Sequence, residues 1–427
     1  MYSFLPILIL FIFFFLNIPI CFALMGATLF FFGFLDTSMD LDLIMQHFIR
    51  SAESFPLLAI PFFIMAGSIM NYSGISKRLM GMAEVLTGHL TGGLAQVNIL
   101  LSVLMGGISG SANADAAMQC KVLVPEMVNR GYSKGFSAAI TAASSIVSPI
   151  IPPGIVLIIY ALLSNVSVTK MFIAGYVPGA LIAISLMITV AIISKKRKYV
   201  PVREKRASLQ EVFKQFKESI WALILPFVII LGMRIGIFTP TEAGAIAVVI
   251  TTLIGIFIYK ELKLTKFPEI LKETVYGTST VMFIIIAANV FGAYLSWERI
   301  PFKLTNILLE FSTSPWSLLL LINLILLFVG MFIDGGAAMI ILAPLLIPAA
   351  LKLGIDPLHL GIVMVVNIMI GGVTPPFGSM MFLTCSLLNI KLEEFMKEIP
   401  FIVALLLVLF ILTYIPDIVL FLPNLLS

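Results

Sequence analysis

Charged residues are scarce in this sequence of 427 residues. Only 11% are Asp, Glu, Lys or Arg, against about 25% in soluble globular proteins. Hydrophobic residues make up 60%, and the mean hydropathy is +1.12. This composition excludes a soluble domain. The formal net charge of +4 comes mostly from predicted loops, so nothing in it indicates nucleic-acid binding.

Cysteine and histidine are also rare, with three of each. The cysteines lie in apolar contexts and form no CxxC pair, which excludes a disulfide framework and a metal site; they are Cys21, Cys120 and Cys385. The sequence has no HExxH or GxSxG pattern, which argues against an intramembrane enzyme. No Lys or Arg precedes the first apolar stretch, so a secretory signal peptide is not expected.

Long apolar runs, in contrast, recur from Phe4 to Leu422. Runs of this length are typical of membrane-spanning helices in contact with the lipid bilayer. The sequence therefore predicts an all-α polytopic membrane protein. Its first apolar stretch is interpreted either as one span or as two short ones broken at Asn17 to Pro19.

One long polar segment, Ser194 to Ser219, lies near the middle of the chain. It carries nine Lys or Arg between Lys195 and Lys217, so the positive-inside rule places it in the cytoplasm. Its second part, from about Ser208, has the spacing of an amphipathic helix on the membrane surface; a solvated linker is the alternative. The predicted organisation is a first half 1–193, a linker 194–218 and a second half 219–427.

The two halves repeat the same landmarks. An aspartate followed by a proline ten residues later occurs at Asp115 and again at Asp334, and a Pro-Pro pair begins at Pro152 and again at Pro375. Together with a weaker match nearer the start of each half, these landmarks recur at offsets of 219, 223 and 221 residues. Such a series predicts an internal repeat.

Lys and Arg positions give the repeat an inverted topology. Basic patches flank residues 92–127 on the cytoplasmic side, so this region is predicted to be a re-entrant hairpin, followed by a broken helix at 135–163. The second half predicts a hairpin at 314–353 that enters from outside and a broken helix at 357–388. Two hairpins that open to opposite faces are typical of inverted-repeat transporters.

Non-helical backbone at membrane depth is tolerated where it lines a site. A broken helix presents free carbonyls, which suit a cation such as sodium, and free amides, which suit a carboxylate. Side-chain oxygens for such sites are available at Ser109, Ser111, Asn113, Ser148 and Thr374. Glycines near the tips and breaks let backbones approach closely.

Three carboxylates stand close to these features. Asp115 and Asp334 each precede an apolar helical run, so each is interpreted as a helix cap or first-turn residue, with an ion-binding or proton role as the alternative. Glu242, beside Pro240, is interpreted as part of a scaffold hydrogen bond rather than of the transport site.

These motifs together resemble a known family. The stretches "GGISGSANADAA", "SPIIPPGI", "FTPTEAGAIAVV", "GMFIDGGAAM" and "GGVTPPFGSMMF" are similar to the large membrane subunit of the tripartite ATP-independent periplasmic (TRAP) transporters. The resemblance covers essentially the whole chain. It implies an elevator-type, sodium-driven importer of organic acids such as C4-dicarboxylates, sialic acid or other sugar acids in the bacterial inner membrane.

The resemblance also implies partners and ligands. The partners would be a small four-span membrane subunit, expected as a separate chain, and a periplasmic solute-binding protein; no cofactor other than the coupling sodium ion is expected. Sodium ligands would be Ser109, Gly110, Ser111, Asn113, Ser148, Pro149, Gly330, Asp334, Gly335, Gly371, Thr374 and Pro375. Substrate contacts would be Ser111, Ala112, Asn113, Pro152, Pro153, Gly335, Gly336 and Pro376.

Two departures from the family pattern affect the ligand details. Asn113 occupies a tip position that varies in the family, and "IPPG" replaces the serine that many members carry after the prolines. The alternative within transport is a stand-alone dicarboxylate- or gluconate-type symporter driven by sodium or protons, which needs no binding protein. A channel is disfavoured, because paired broken helices fit alternating access better than an open pore.

Overall fold

The computed structural model describes residues 4–16, 18–36, 41–53, 55–312 and 314–426, and every regular element in these ranges is helical. The first half contains α1 Leu5–Phe15, α2 Ile20–Phe30, α3 Leu41–Ala52, α4 Ala59–Tyr72, α5 Ile75–Thr87, α6 Gly93–Ser109, α7 Ala112–Asn129, α8 Lys134–Ser145, α9 Ile155–Ser164 and α10 Val168–Arg197. The second half contains α11 Leu209–Arg234, α12 Pro240–Leu253, α13 Phe267–Trp297, α14 Ile300–Phe311, α15 Pro315–Phe332, α16 Gly335–Lys352, α17 Pro357–Gly371, α18 Ser379–Leu388, α19 Leu392–Met396, α20 Ile399–Tyr414 and α21 Pro416–Leu426.

The predicted multi-span, all-α fold class is confirmed. Six helices of the described ranges are long and apolar enough to cross a membrane, and the pair α20 and α21, bent by 64°, makes a seventh candidate. Helices α8 and α9 are the two parts of one helix interrupted at a proline-rich segment, and α17 and α18 are the two parts of another. At the start of the chain α1 and α2 are separate helices that pack together, while Asn17 lies outside the described residues.

The same order of elements occurs in both halves. A pair of helices joined by a short tip, α6 and α7, is followed by the interrupted helix α8 and α9; α15 and α16 are followed by α17 and α18. Helices α7 and α16 both contain 18 residues, and α16 begins 223 residues after α7. This is also the spacing of the two Pro-Pro pairs.

Helix packing divides the molecule into a frame and a central body. The frame is formed by α2, α3, α4, α11, α12 and α13, and the central body by α6 to α10 and α15 to α21. Helix α5 packs against both α11 and α6, and α14 packs against both α13 and α16. The frame also meets the central body directly, because α4 contacts α6 and α13 contacts α16. The tips and the proline-rich breaks all belong to the central body.

The helix predicted from about Ser208 is present, and it is longer than the basic segment between the halves. Helix α10 extends to Arg197 and α11 begins at Leu209, after Ser208 and Glu211 form a capping box. No glycine or proline follows until Pro226, so the predicted surface helix is instead the first part of one continuous helix that ends at Arg234. The segment 198–208 between the helices is anchored, because the amides of residues 202 and 203 donate to the carbonyl of residue 88 at 2.9 and 3.1 Å.

Glu242 has the scaffold role that the sequence indicated. It forms a capping box with Thr239 at the start of α12, in which each residue satisfies a backbone amide of the other. The Glu242 carboxylate accepts hydrogen bonds from the Thr239 amide at 2.7 Å and from its hydroxyl at 2.8 Å. Its contacts are therefore within the frame and away from the tips.

Candidate functional site

Both helix pairs end in a tip that a short polar side chain caps. In the first tip Gly110 adopts a left-handed conformation with φ of +56°, and a Cβ there would lie 2.6 Å from the Pro153 carbonyl oxygen. Ser111 then caps α7 by accepting a hydrogen bond from the Ala114 amide at 3.4 Å. In the second tip Asp334 caps α16 by accepting from the Gly336 amide at 3.1 Å.

The two tips meet. The Asn113 side-chain amide donates to a carboxylate oxygen of Asp334 at 3.4 Å, across 221 positions of sequence. A residue of the first half therefore contacts the cap of the second half, and the site is shared between the two repeats.

The two breaks lie beside the tips. The first, 146–154, is buried throughout and contains Pro149 and a cis bond between Pro152 and Pro153. The second, 372–378, contains the corresponding cis bond between Pro375 and Pro376. Each break interrupts a helix because proline lacks the amide that the helix needs.

Tips and breaks enclose one cavity of about 60 Å³. One water molecule needs about 10–15 Å³ on this measure, and pockets for organic ligands usually have about 300–1,000 Å³. In this conformation the cavity accommodates an ion and a few waters, and it must widen to admit an organic acid. Its lining residues are Ser111, Ala112, Asn113, Pro149, Gly330, Ile333, Asp334, Gly335, Gly336, Ile368, Met369, Gly372, Ser379 and Met380.

Helix ends determine the electrostatics of this cavity. The first residues of α7, α16 and α18 line it, so three positive helix N-termini face the cavity. The last turns of α15 and α17 contribute carbonyl ends at Gly330, Ile368 and Met369. Asp334 is the one ionisable residue of the lining. The cavity thus offers amides to an anion, and a carboxylate with carbonyls to a cation.

The sequence-predicted site residues divide into two groups. Those that line the cavity are Ser111, Ala112, Asn113, Pro149, Gly330, Asp334, Gly335 and Gly336. Those outside its lining are Ser109, Gly110, Ser148, Pro152, Pro153, Gly371, Thr374, Pro375 and Pro376. The hydroxyl of Thr374, for example, donates to the Ile370 carbonyl at 2.8 Å.

Ser379 is a cavity residue that the sequence reading missed. It is the first residue of α18, directly after the second break. The sequence does contain a pattern that indicates this residue: Ser379 directly follows "PPFG", at the point where the helix resumes after the break.

Comparison with known proteins decides the family. Residues 7–418 match the family described as "Tripartite ATP-independent periplasmic transporter, DctM component". The chain belongs to the DctM family. The C4-dicarboxylate TRAP transporter large permease protein DctM of Pseudomonas aeruginosa is 37% identical over 376 residues, 88% of either chain. The sialic acid TRAP transporter large permease protein SiaM of Vibrio cholerae is 39% identical over 412 residues, 96% of either chain.

A solved structure has a similar fold. The crystal structure of the Alcanivorax borkumensis YdaH transporter, described as having an unusual topology, superposes with a TM-score of 0.61 over 87% of each chain. Sequence identity is 13%, so this likeness concerns the fold alone. As a DctM-family protein with its many apolar helices, the chain is a multi-pass TRAP transporter large permease.

Within this DctM-family chain, the cap of α7 is Ser111, and Asp115 is a first-turn residue of that helix, which is one of the two positions that the sequence predicted for it. The Asp115 carboxylate is 1% exposed and accepts a hydrogen bond from the Ser148 hydroxyl at 2.7 Å. Beside it the Gln119 amide donates to Ser102 at 2.7 Å. This buried cluster joins α6, α7 and the first break, so Asp115 connects the tip to the break from behind the cavity.

Asp115 and Asp334 are also not equivalent, although the sequence pattern paired them. Residue 334 lies 223 positions after Ser111, and both cap the returning helix. The position 223 after Asp115 is Ala338. The match at an offset of 219 residues therefore aligned two aspartates with different roles, and the second repeat has an alanine at the position of the buried Asp115.

Buried asparagines hold each helix pair against the following broken helix. In the first repeat Asn98 of α6 donates to Thr141 at 2.9 Å and accepts from Ser144 at 2.6 Å, both in α8. In the second repeat Asn367 of α17 donates to the Asn323 side chain of α15 at 2.7 Å. A buried side-chain amide without a hydrogen bond would lower the stability of the fold. These bonds are therefore expected to be maintained, and they fix the position of each tip relative to its break. The sequence signal was an asparagine inside an otherwise apolar helix.

Proposed function

We propose that this TRAP transporter large permease imports an organic acid with sodium as the coupling ion. The observation that carries the proposal is the cavity between the two tips and the two breaks, where three helix N-termini meet carbonyl ends and Asp334. The amide ends suit a carboxylate, and the carboxylate with the carbonyl ends suits sodium. Binding one favours the other, because each neutralises part of the other's charge.

The substrate class proposed is the organic acids. Relatives named for C4-dicarboxylates and for sialic acid are 37% and 39% identical to this chain, respectively. The two substrate types differ in size and share a carboxylate, which is also the group that the helix N-termini suit. We propose that the backbone amides of the cavity bind the substrate carboxylate. Selectivity for the rest of the substrate would come from a periplasmic binding protein.

The proposed mechanism is an elevator movement across the bacterial inner membrane. The division into a frame and a central body supports it. The basic segment 198–208 would lie in the cytoplasm, which makes the two helix pairs re-entrant hairpins from opposite faces. The partners proposed are a small four-span membrane subunit on the frame and the periplasmic binding protein.

Uptake into proteoliposomes that contain both membrane subunits tests the proposal. The wild-type protein should accumulate the substrate only with an inward sodium gradient and only with the binding protein present. Robust uptake by this chain alone would overturn the tripartite mechanism, and uptake that lithium, potassium or choline supports equally would overturn the sodium assignment.

Asp334→Asn is the sharpest variant, because asparagine keeps the helix cap but removes the charge. The sodium concentration for half-maximal uptake should rise roughly tenfold, as expected for the loss of a charge-assisted interaction of about 1.4 kcal/mol. Asp356→Asn is the matched control. Asp356 caps α17 in the same manner, by accepting from the amides of Leu358 and His359, at the end of that helix away from the cavity. It should leave the sodium dependence unchanged.

A further inference from the structure

A second cavity lies between the frame and the central body, apart from the tips. Its volume is about 410 Å³, and its walls are formed by α10 and α21 of the central body and by α11 of the frame. The lining is apolar except for one tyrosine and one arginine; the residues are Ile173, Tyr176, Phe227, Ile230, Leu231, Arg234, Leu422 and Leu426. The volume is within the range of pockets that hold small organic ligands, about 300–1,000 Å³.

The depth of this cavity in the membrane follows from α11. Arg234 lies 17 positions after Lys217 in this helix, a rise of about 26 Å at about 1.5 Å per residue, which is close to the hydrocarbon thickness of about 30 Å. The first turns of α11 carry Lys214 and Lys217 and follow the basic segment. Arg234, the last residue of α11, therefore lies at the headgroup level of the opposite leaflet, and the apolar lining lies below it at acyl-chain depth.

Arg234 has the chemistry of a headgroup ligand. Its Nε donates to the Leu426 carbonyl at 3.0 Å, which fixes the guanidinium at the rim of the cavity. It forms no salt bridge with a carboxylate of the residues that the structure describes. A guanidinium pairs readily with phosphate through two parallel hydrogen bonds. Its charge is the complement of an anionic phospholipid.

We propose that this cavity binds one anionic phospholipid of the outer leaflet, with an acyl chain between α10, α11 and α21 and its phosphate on Arg234. The side chains of Phe227 and Leu231 are 69% and 55% exposed, so the cavity is open to the lipid phase. A chain in this position lies between the frame and the central body. The site does not depend on which substrate or coupling ion the protein uses.

Native mass spectrometry of the purified protein in detergent tests this proposal. The probes are phosphatidylglycerol, phosphatidylcholine and free glycerophosphate. Wild-type protein should retain phosphatidylglycerol at least tenfold better than phosphatidylcholine, and free glycerophosphate should not compete. Arg234→Gln should remove the preference, and Arg234→Lys should retain part of it because the charge remains.

Two further variants separate the site from general effects. Arg206→Gln removes the same charge from the exposed segment 198–208 and should leave lipid retention unchanged. Leu231→Trp fills the cavity and should weaken retention of phosphatidylglycerol without any change of charge. The proposal would be overturned if wild type and Arg234→Gln retained phosphatidylglycerol equally, or if Arg206→Gln caused an equal loss. Full competition by free glycerophosphate would overturn it as well.

Discussion

The contact between Gly330 and Gly371 offers a direct test of how tightly the second tip must pack against its break. Gly371 ends α17 at the break, and a Cβ added there would lie 2.7 Å from the Gly330 Cα and 3.0 Å from the Leu327 carbonyl oxygen. All these atoms belong to backbone, which cannot move aside as a side chain can. Gly371→Ala should therefore separate α15 from α17 and cost about 1–3 kcal/mol, as overpacking in a core does.

Gly292→Ala is the matched control for this change. Gly292 lies inside α13, and a Cβ there would meet no heavy atom within 4 Å. Alanine should stabilise the helix by up to about 1 kcal/mol, so the two variants should differ by about 1–4 kcal/mol. Thermal unfolding of the purified proteins measures the difference, and proteoliposome uptake should fall for Gly371→Ala alone. Equal melting temperatures and equal uptake would refute the packing argument.

Three further predictions concern other contacts. Ser148→Ala should lower the stability by about 1–3 kcal/mol, because the buried Asp115 carboxylate loses its donor; unchanged melting would contradict this. Arg197→Met should destabilise by about 1–3 kcal/mol, because the Glu398 side chain is 5% exposed and loses a partner at 2.7 Å, and adding Glu398→Gln should restore part of the loss. Thr239→Ala should cost about 1 kcal/mol by removing the cap of α12 but should leave the sodium dependence of uptake unchanged.

The sequence was informative where a local rule controls the structure. Paired prolines break a helix wherever they occur, so both breaks could be located from Pro152 and Pro375. Glu242, two positions after Pro240, was predicted to form a scaffold hydrogen bond, and it forms the capping box of α12. Amphipathic spacing was less reliable: the segment after Ser208 has a polar face, yet it continues as one helix because nothing in it stops helix propagation.

The errors concern tertiary contacts. An aspartate at the start of an apolar run fits a cap, and only the fold shows that Ser111 takes this role and leaves Asp115 to bond with Ser148. The 223-residue spacing of the Pro-Pro pairs, applied to Asp334, would have led to Ser111. The sequence indicated candidate oxygens such as Ser111 and Asp334, but it could not show which candidates line the cavity, because that depends on how four separate segments converge.

The caps of the two tips differ in charge, so the cavity is electrostatically asymmetric. Ser111 is neutral and Asp334 carries a carboxylate, so two halves of similar design present different charges to the same space. A ligand with an acidic end has one favourable orientation there, with that end turned from Asp334 toward the amides of the first tip. Two identical halves would produce a site with two equivalent ligand orientations; the difference between Ser111 and Asp334 makes the two orientations unequal.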